Sequence, residues 1–458
     1  MRGFAYAAQA VSLQSEEMKL PATLRALQYR NFQIFASGQL VSLIGTWMQN
    51  VAEAWLVYRL TGSSVLLGAV GFCSQIPVFL ISPIGGIVAD RYSRHRVVIA
   101  TQTASMLLAF TLSILTLTHK VQIWHVFTLA ALLGVVNAFD IPARQSFIVD
   151  MVSRSDLMNA IALNSSMFNA SRVVGPAIAG ILVASIGEGW CFFSNAVSYI
   201  AVITGLLMMR VPPHLPAPRT GSPAANIAEG FRFVIQNPPV YVLMLLLGVV
   251  SLTGMPYAVL MPIFADRILH GGATALGSLM GASGVGALCG ALLLASRRDL
   301  KGLGTWVAVA AAGFGVGLVA FSFSRFFWLS AAILIPIGFS MMIEMGSSNT
   351  LIQSMVPDAL RGRVMSVYSM MFMGMAPIGS LLAGAAAGHI GAPWTVAIGG
   401  IVCTIAAGLF AIRLPGIRVH ARRLIVAQQM AGGDPPQEMT GGSLDLEDEV
   451  RPVGRPGA

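Results

Sequence analysis

Twelve long apolar stretches recur along the 458-residue chain, and they decide what it can fold into. They run at about Phe32–Tyr58, Val65–Ala89, Val97–Leu117, Ile123–Val152, Leu157–Ile186 and Trp190–Met209. After a break they resume at about Val240–Ala265, Ala275–Ala295, Gly304–Phe323, Phe326–Val356, Val364–Gly388 and Trp394–Ile412. A bilayer crossing takes about 20 mostly apolar residues, so each stretch reads as a transmembrane span and no large soluble domain is left over. Only 10% of the residues are charged and 55% are hydrophobic, against roughly 25% charged in an ordinary soluble domain. A water-facing surface cannot be covered from that composition. The expected fold class is an all-α membrane protein of twelve transmembrane helices.

The few charges are unevenly placed. If the spans alternate, all but five of the 28 Lys and Arg fall on the side of the N-terminus; Arg59, Lys120, Arg267 and Arg325 lie opposite, and Arg172 lies inside span 5. Membrane proteins collect Lys and Arg in cytoplasmic loops. Both termini are therefore expected in the cytoplasm, and the net charge of +9 reports topology rather than a nucleic-acid partner. Residues 1–30 have no apolar core of the signal-peptide kind, which leaves span 1 to direct insertion. Cys73, Cys191, Cys289 and Cys403 sit far apart in apolar segments, so neither a disulfide framework nor a zinc site is expected.

The chain then divides into a cytoplasmic N-terminal segment (1–30), a first six-span bundle (31–209), a cytoplasmic linker (210–238), a second six-span bundle (239–412) and a cytoplasmic tail (413–458). The linker holds Arg210, Pro212, Pro213, Pro216, Pro218, Arg219 and Pro223, an extended polar pattern, with a short surface helix expected at 225–236. The tail begins basic and ends with Asp445, Glu447, Asp448 and Glu449 among Gly and Pro, and reads as solvated and disordered. The two bundles look like diverged copies, a known transporter device. An offset of 209 places Leu67-Gly68 on Leu276-Gly277 and Asp90 on Asp299; an offset of 204 places Asp140 on Glu344; an offset of 201 places Pro176 on Pro377.

No phosphate-binding GxxxxGK[ST] loop, HExxH or GxSxG is present, and the seven histidines lack ligand spacing, so neither enzyme chemistry nor a metal or other cofactor is expected. Gly313-Phe314-Gly315-Val316-Gly317 lies inside a span and reads as helix packing. Ionisable residues inside a bilayer are costly and face a cavity or a partner; here they are Glu53, Asp140, Arg172 and Glu344. In span 1, Gln39, Thr46 and Glu53 recur every seven residues with Ser42 and Asn50 on the same face, a polar stripe suited to lining water or substrate. Asn137 stands one turn before Asp140. An Asp140 or Glu344 carboxylate held out of water could exchange a proton for substrate; alternatively Asp140 and Arg172 form a structural ion pair, and Glu53 sits at the outer water boundary. Met365, Met370, Met371, Met373 and Met375 in span 11 suit either an adaptable apolar cavity or ordinary packing.

After span 2 comes Gly85-Gly86-Ile87-Val88-Ala89-Asp90-Arg91-Tyr92-Ser93-Arg94-His95-Arg96. It resembles the G-x-x-x-D-R-x-x-R-[KR]-R loop of the major facilitator superfamily, with His95 where Lys or Arg is usual. In such a loop Gly86 admits a neighbouring helix, Asp90 faces the positive end of a helix dipole, and Arg91, Arg94 and Arg96 pair with acids such as Asp150, a latch shutting the two halves on the cytoplasmic side. Span 5 carries Arg172-Val173-Val174-Gly175-Pro176-Ala177-Ile178-Ala179-Gly180. This is similar to the Gly-Pro packing motif of the superfamily's proton-coupled antiporters, with Ala179 replacing one Gly; Gly175, Pro176 and Gly180 are its matching positions. Asn137-Ala138-Phe139-Asp140-Ile141-Pro142-Ala143-Arg144-Gln145, Leu360-Arg361-Gly362-Arg363-Val364, Gly38-Gln39-Leu40 and Trp47-Met48-Gln49 narrow the resemblance to the enterobactin-exporter-like branch, the transmembrane secretion effectors. Span 4 departs from the drug-antiporter pattern in lacking its mid-helix Arg and following Gly.

The resemblance implies a major facilitator fold of two pseudo-symmetric bundles in the bacterial inner membrane. Its expected function is export of a small amphipathic or hydrophobic molecule, siderophore- or drug-like, by proton antiport with alternating access. The expected partners are that small molecule, protons and the lipid bilayer, and such a fold can work as a monomer. Gradient-independent facilitation or uptake stays open as an alternative, as does, from another class, a membrane-embedded enzyme or sensor.

Overall fold

The computed structural model describes residues 22–209, 211, 223–297 and 300–431, and every regular element among them is helical. Eleven helices are long and apolar enough to cross a membrane: Ser64–Arg91, Arg94–Leu117, Ile123–Asp150, Leu157–Ile186, Glu188–Met208, Pro238–Ile268, Gly272–Ser296, Leu303–Phe323, Phe327–Met355, Asp358–Ile390 and Ala392–Val426. They are spans 2 to 12. Span 1, Arg30–Thr61, is as long but carries Gln39, Thr46, Gln49, Asn50 and Glu53, which lower its hydropathy without shortening it. It ends where Gly62 turns left-handed (φ 60°), and the hydroxyl of Ser63 then accepts the Leu66 N–H to cap span 2.

The short helix expected at 225–236 runs Pro223–Gln236. Glu229 on it pairs with Arg363 of span 11, and Gly230 lies against the same turn. The last helix does not stop at Ile412. It continues to Ala431, so residues 413–431 of the expected disordered tail are helical. Leu414 and Ile425 are buried against the bundle, which gives this extension apolar contacts of its own. The linker prolines 212–218, Asp299, residues 1–21 and the acidic end of the tail lie outside the described residues.

Packing reproduces the internal repeat. Gly134 of span 4 lies against the Ser74 carbonyl of span 2, and Gly338 of span 10 against the Ser283 carbonyl of span 8. These pairs correspond at offsets of 209 and 204. Between the halves, span 2 packs along span 11 and span 5 along span 8. A Cβ on Gly68 would stand 2.9 Å from Gly384 Cα, and one on Gly277 2.6 Å from Gly180 Cα. Gly180 is thus the counterpart of Gly384, again at 204, and the expected match of Pro176 with Pro377 is not the structural one. Pro377 lies earlier in its span, just past a π-helical turn at Met370–Gly374.

Packing between the halves runs from the end away from the termini to mid-depth. Towards the termini no two spans of opposite bundles pack along one another among the described residues, so that end is the more open of the two. Span 7 is also irregular: an α-helix to Val249 gives way to a π turn at Val250–Gly254, a tight turn at Met255–Ala258 and a second π turn at Phe264–Ile268. Pro256 and Pro262 supply no N–H to a regular ladder there.

Replacing Gly180 by Leu, which would force a side chain into Gly277, should destabilise the protein by ~1–3 kcal/mol, the usual cost of overpacking. Gly408→Leu, at a glycine with nothing within 4 Å, should leave stability unchanged. Thermal unfolding of the two detergent-solubilised variants checks the contrast.

Candidate functional site

At mid-depth, where the halves meet, span 5 presents Arg172. Its Nη2 lies 3.7 Å from Met341 Sδ of span 10, and its guanidinium stands 5.7 Å from the centre of the Trp47 ring of span 1. Gly175, one turn on, has no room for a side chain beside Trp47, and Trp47 meets Phe168 edge-on at 5.7 Å. From the other half, Gly284 of span 8 packs on the Arg172 carbonyl. Spans 1 and 10, one from each bundle, therefore flank the guanidinium of span 5, and among the described residues no carboxylate pairs with it.

The expected Arg172–Asp140 pair is not formed. Asp140, 3% exposed, pairs instead with Arg144 one turn on, at 3.1 Å, and accepts hydrogen bonds from Thr101 Oγ1 (2.8 Å) and Gln102 Nε2 (2.9 Å). Spans 3 and 4 supply these partners, so the carboxylate is neutralised inside its own bundle.

Glu344, its counterpart in the repeat, has a different environment. It is 1% exposed; one oxygen accepts a long 3.5 Å bond from Ser348, and Oε2 has no partner among the described residues. The offset that relates Asp140 to Glu344 relates Arg144 to Ser348, so the second bundle carries a hydroxyl where the first carries a cation. The neighbouring Ser347 hydroxyl is likewise unpartnered among the described residues.

The span 1 stripe is divided in its surroundings. Gln39 is buried with Oε1 unpartnered, while Thr46 bonds back to the Ser42 carbonyl of its own helix at 2.9 Å. Asn50 is exposed, and Glu53 is half-buried with no hydrogen bond or ion pair among the described residues. Gln49, which the seven-residue spacing did not single out, is buried and takes the Asn195 amide of span 6 at 2.7 Å. Asn137 is half-buried.

At the open end, Arg94 Nη1 donates to Asp150 Oδ1 at 3.0 Å and to the Ser146 carbonyl at 3.3 Å. His95 Nε2 meets the Leu206 carbonyl at 2.7 Å. Asp90, Arg91 and Arg96 are exposed. The Arg94 and His95 contacts stay within the first bundle, so the Arg94–Asp150 pair braces one half in this state and does not latch two. Gly85, under the Ala138 carbonyl, is the close-packed glycine, whereas Gly86 faces open space.

The closed end carries a clamp that sequence reading missed. Tyr58 OH of span 1 donates to Asp266 Oδ2 of span 7 at 2.8 Å, and Arg267 Nη2 donates to the Gly62 carbonyl at 3.1 Å. The Arg267 guanidinium also lies 5.7 Å from the Tyr58 ring centre. One signal was available, since Arg267 is among the few cations on that side. Nearby, Arg59 pairs with Glu188 at 2.7 Å and ties span 1 to span 6 within the first bundle. Among the described residues no group of three or more His, Cys, Asp or Glu could hold a metal.

The family described as "Transmembrane secretion effector" matches residues 22–433. The chain is 26% identical to the Staphyloferrin A transporter of Staphylococcus aureus, over 80% of this chain and 92% of that one. It is 27% identical to the multidrug efflux pump Tap of Mycolicibacterium fortuitum, over 74% and 85%. The fold is similar to that of a point mutant of the nucleoside transporter NupG, with a TM-score of 0.65 at 13% identity over 86% of this chain and 99% of that one. A twelve-span repeat closed at one end, a mid-depth site shared by both halves and these likenesses agree: the chain belongs to the transmembrane secretion effector family of major facilitator transporters.

Proposed function

We propose that this transporter exports a small amphipathic molecule by alternating access, driven by proton influx, from a bacterial inner membrane in which both termini are cytoplasmic. The observation that carries the coupling is Glu344, a buried carboxylate with an unpartnered oxygen and no cation beside it among the described residues. A buried charge without a partner is strongly disfavoured, so a proton arriving at Glu344, or leaving it, changes the energy of that site far more than at the ion-paired Asp140. Asp140 is read here as a strut, Glu344 as the proton carrier.

The uneven distribution of Lys and Arg supports placing the open end in the cytoplasm, where cargo would enter. The two relatives, a Staphyloferrin A transporter and a multidrug efflux pump, support a drug-sized amphipathic cargo. Arg172 favours a cargo bearing an acidic group. It is a cation between the halves with no carboxylate partner among the described residues, set beside the apolar faces of Trp47 and Phe168. The clamp at the closed end would break, and the Gly86 face would receive the other half, when the molecule opens outward.

Glu344→Gln should abolish uphill efflux in proteoliposomes with an imposed pH gradient while leaving cargo binding detectable; undiminished uphill efflux from this variant overturns proton carriage by Glu344. Asp140→Asn, by contrast, should cost about 3 kcal/mol of stability, as breaking a buried pair does, and shows as a lowered melting temperature.

Tyr58→Phe combined with Asp266→Asn removes a clamp hydrogen bond of about 1 kcal/mol, a several-fold shift towards the outward-open form. A cysteine introduced at Asn50 in a protein whose four native cysteines are replaced by Ser should then react faster with a membrane-impermeant reagent added outside.

A further inference from the structure

A cavity of about 430 Å³ lies inside the second bundle at the open end, between the ends of spans 7, 9, 10 and 12. This volume is in the range of ligand sites. Its walls are apolar, formed by Leu243, Leu351, Met355, Phe410, Leu414 and their neighbours. Its rim carries Lys301, from the loop before span 9, with Arg418 and Arg422 from the helical extension of span 12. Among the described residues no acidic side chain lines it. Arg418 is steadied by donating to Thr305 Oγ1 at 2.5 Å, while Lys301 and Arg422 are exposed.

Every lining residue belongs to the second bundle or to the extension of its last helix, so this space is separate from the site around Arg172. We propose that it holds one anionic phospholipid of the adjoining leaflet, with acyl chain against the apolar walls and phosphate between Lys301, Arg418 and Arg422. The charge pattern selects the headgroup: three cations, with no acid lining the cavity among the described residues, match a phosphate monoanion and not a zwitterion. The apolar walls select a lipid over free phosphate, since a bare ion would leave them unfilled. Basic residues beside apolar pockets at the cytoplasmic end of helices are a recurrent design for such recognition.

The extension of span 12 gains a role from this assignment. Leu414, Ile417, Ala421 and Ile425 turn inward over the cavity, so the lipid would pin residues 413–426 to the bundle.

The test uses the full-length protein, delipidated in detergent. Adding phosphatidylglycerol should raise the melting temperature by several degrees more than the same mole fraction of phosphatidylcholine, and native mass spectrometry should show one phosphatidylglycerol retained. The double variant Lys301→Gln/Arg422→Gln, changed only at exposed positions, should keep its fold and lose both effects. Three results overturn the proposal: equal stabilisation by the two lipids, equal retention by the double variant, or full stabilisation by inorganic phosphate alone. It is also overturned if phosphatidylglycerol has no effect while neutralising Asp445, Glu447, Asp448 and Glu449 lowers the melting temperature, which would assign the cavity to the tail.

Discussion

Two glycine-on-glycine crossings, Gly68 on Gly384 and Gly277 on Gly180, are the contact on which the architecture rests. Helices in lipid gain nothing from hiding apolar side chains from water, so they associate by close backbone approach. These crossings bring spans 2 and 11, and spans 5 and 8, together at one end only. The mechanical consequence is that the halves are joined from the end near the crossings down to mid-depth, where Arg172 sits, and are less closely packed towards the termini.

Duplication gave the two halves the same scaffold and then let their chemistry diverge. The equivalent crossings at Gly134 and Gly338 keep each bundle's spans at the same separation. On that shared frame, one position carries Asp140 with Arg144 one turn away, and its counterpart carries Glu344 with Ser348. A single exchange, cation for hydroxyl, converts a braced carboxylate into one whose charge has no local compensation. On the proposed coupling, this asymmetry would let one half serve as a fixed reference while the other responds to protons.

Much of the fold was legible because the bilayer imposes length and polarity on every span. The twelve spans, the linker helix and the offsets of 209 and 204 all came from patterns that repeat along the chain. What escaped reading depends on how helices rotate and where they bend. Asp140 and Arg172 are each inside a span, yet only the rotation of spans 4 and 5 decides that Asp140 turns to Arg144 and span 3. Gly85 and Gly86 are adjacent in sequence, and rotation again decides which is packed. Pro176 and Pro377 look equivalent, but the crossings pair Gly180 with Gly384, which leaves Pro377 about one turn earlier in its span. The clamp of Tyr58 with Asp266 joins residues 208 positions apart, with no periodicity to announce it. Beyond Ile412, hydropathy falls while the helix continues, because Leu414 and Ile425 are buried against the bundle.

Both interrupted membrane helices, spans 7 and 11, belong to the second bundle, and their π turns have a kinematic consequence. A π turn holds one residue more than an α turn, and a residue of α-helix is worth about 100° of rotation. If that surplus residue is passed along the helix, the stretch it crosses is re-phased while both ends keep their attachments. Span 11 can therefore turn Met370–Gly374 towards or away from Phe79 of span 2, which packs on Gly374, without releasing the Gly68 crossing farther along. The second half thus contains π turns that can act as screw-like joints, and its motion need not be that of a rigid lever.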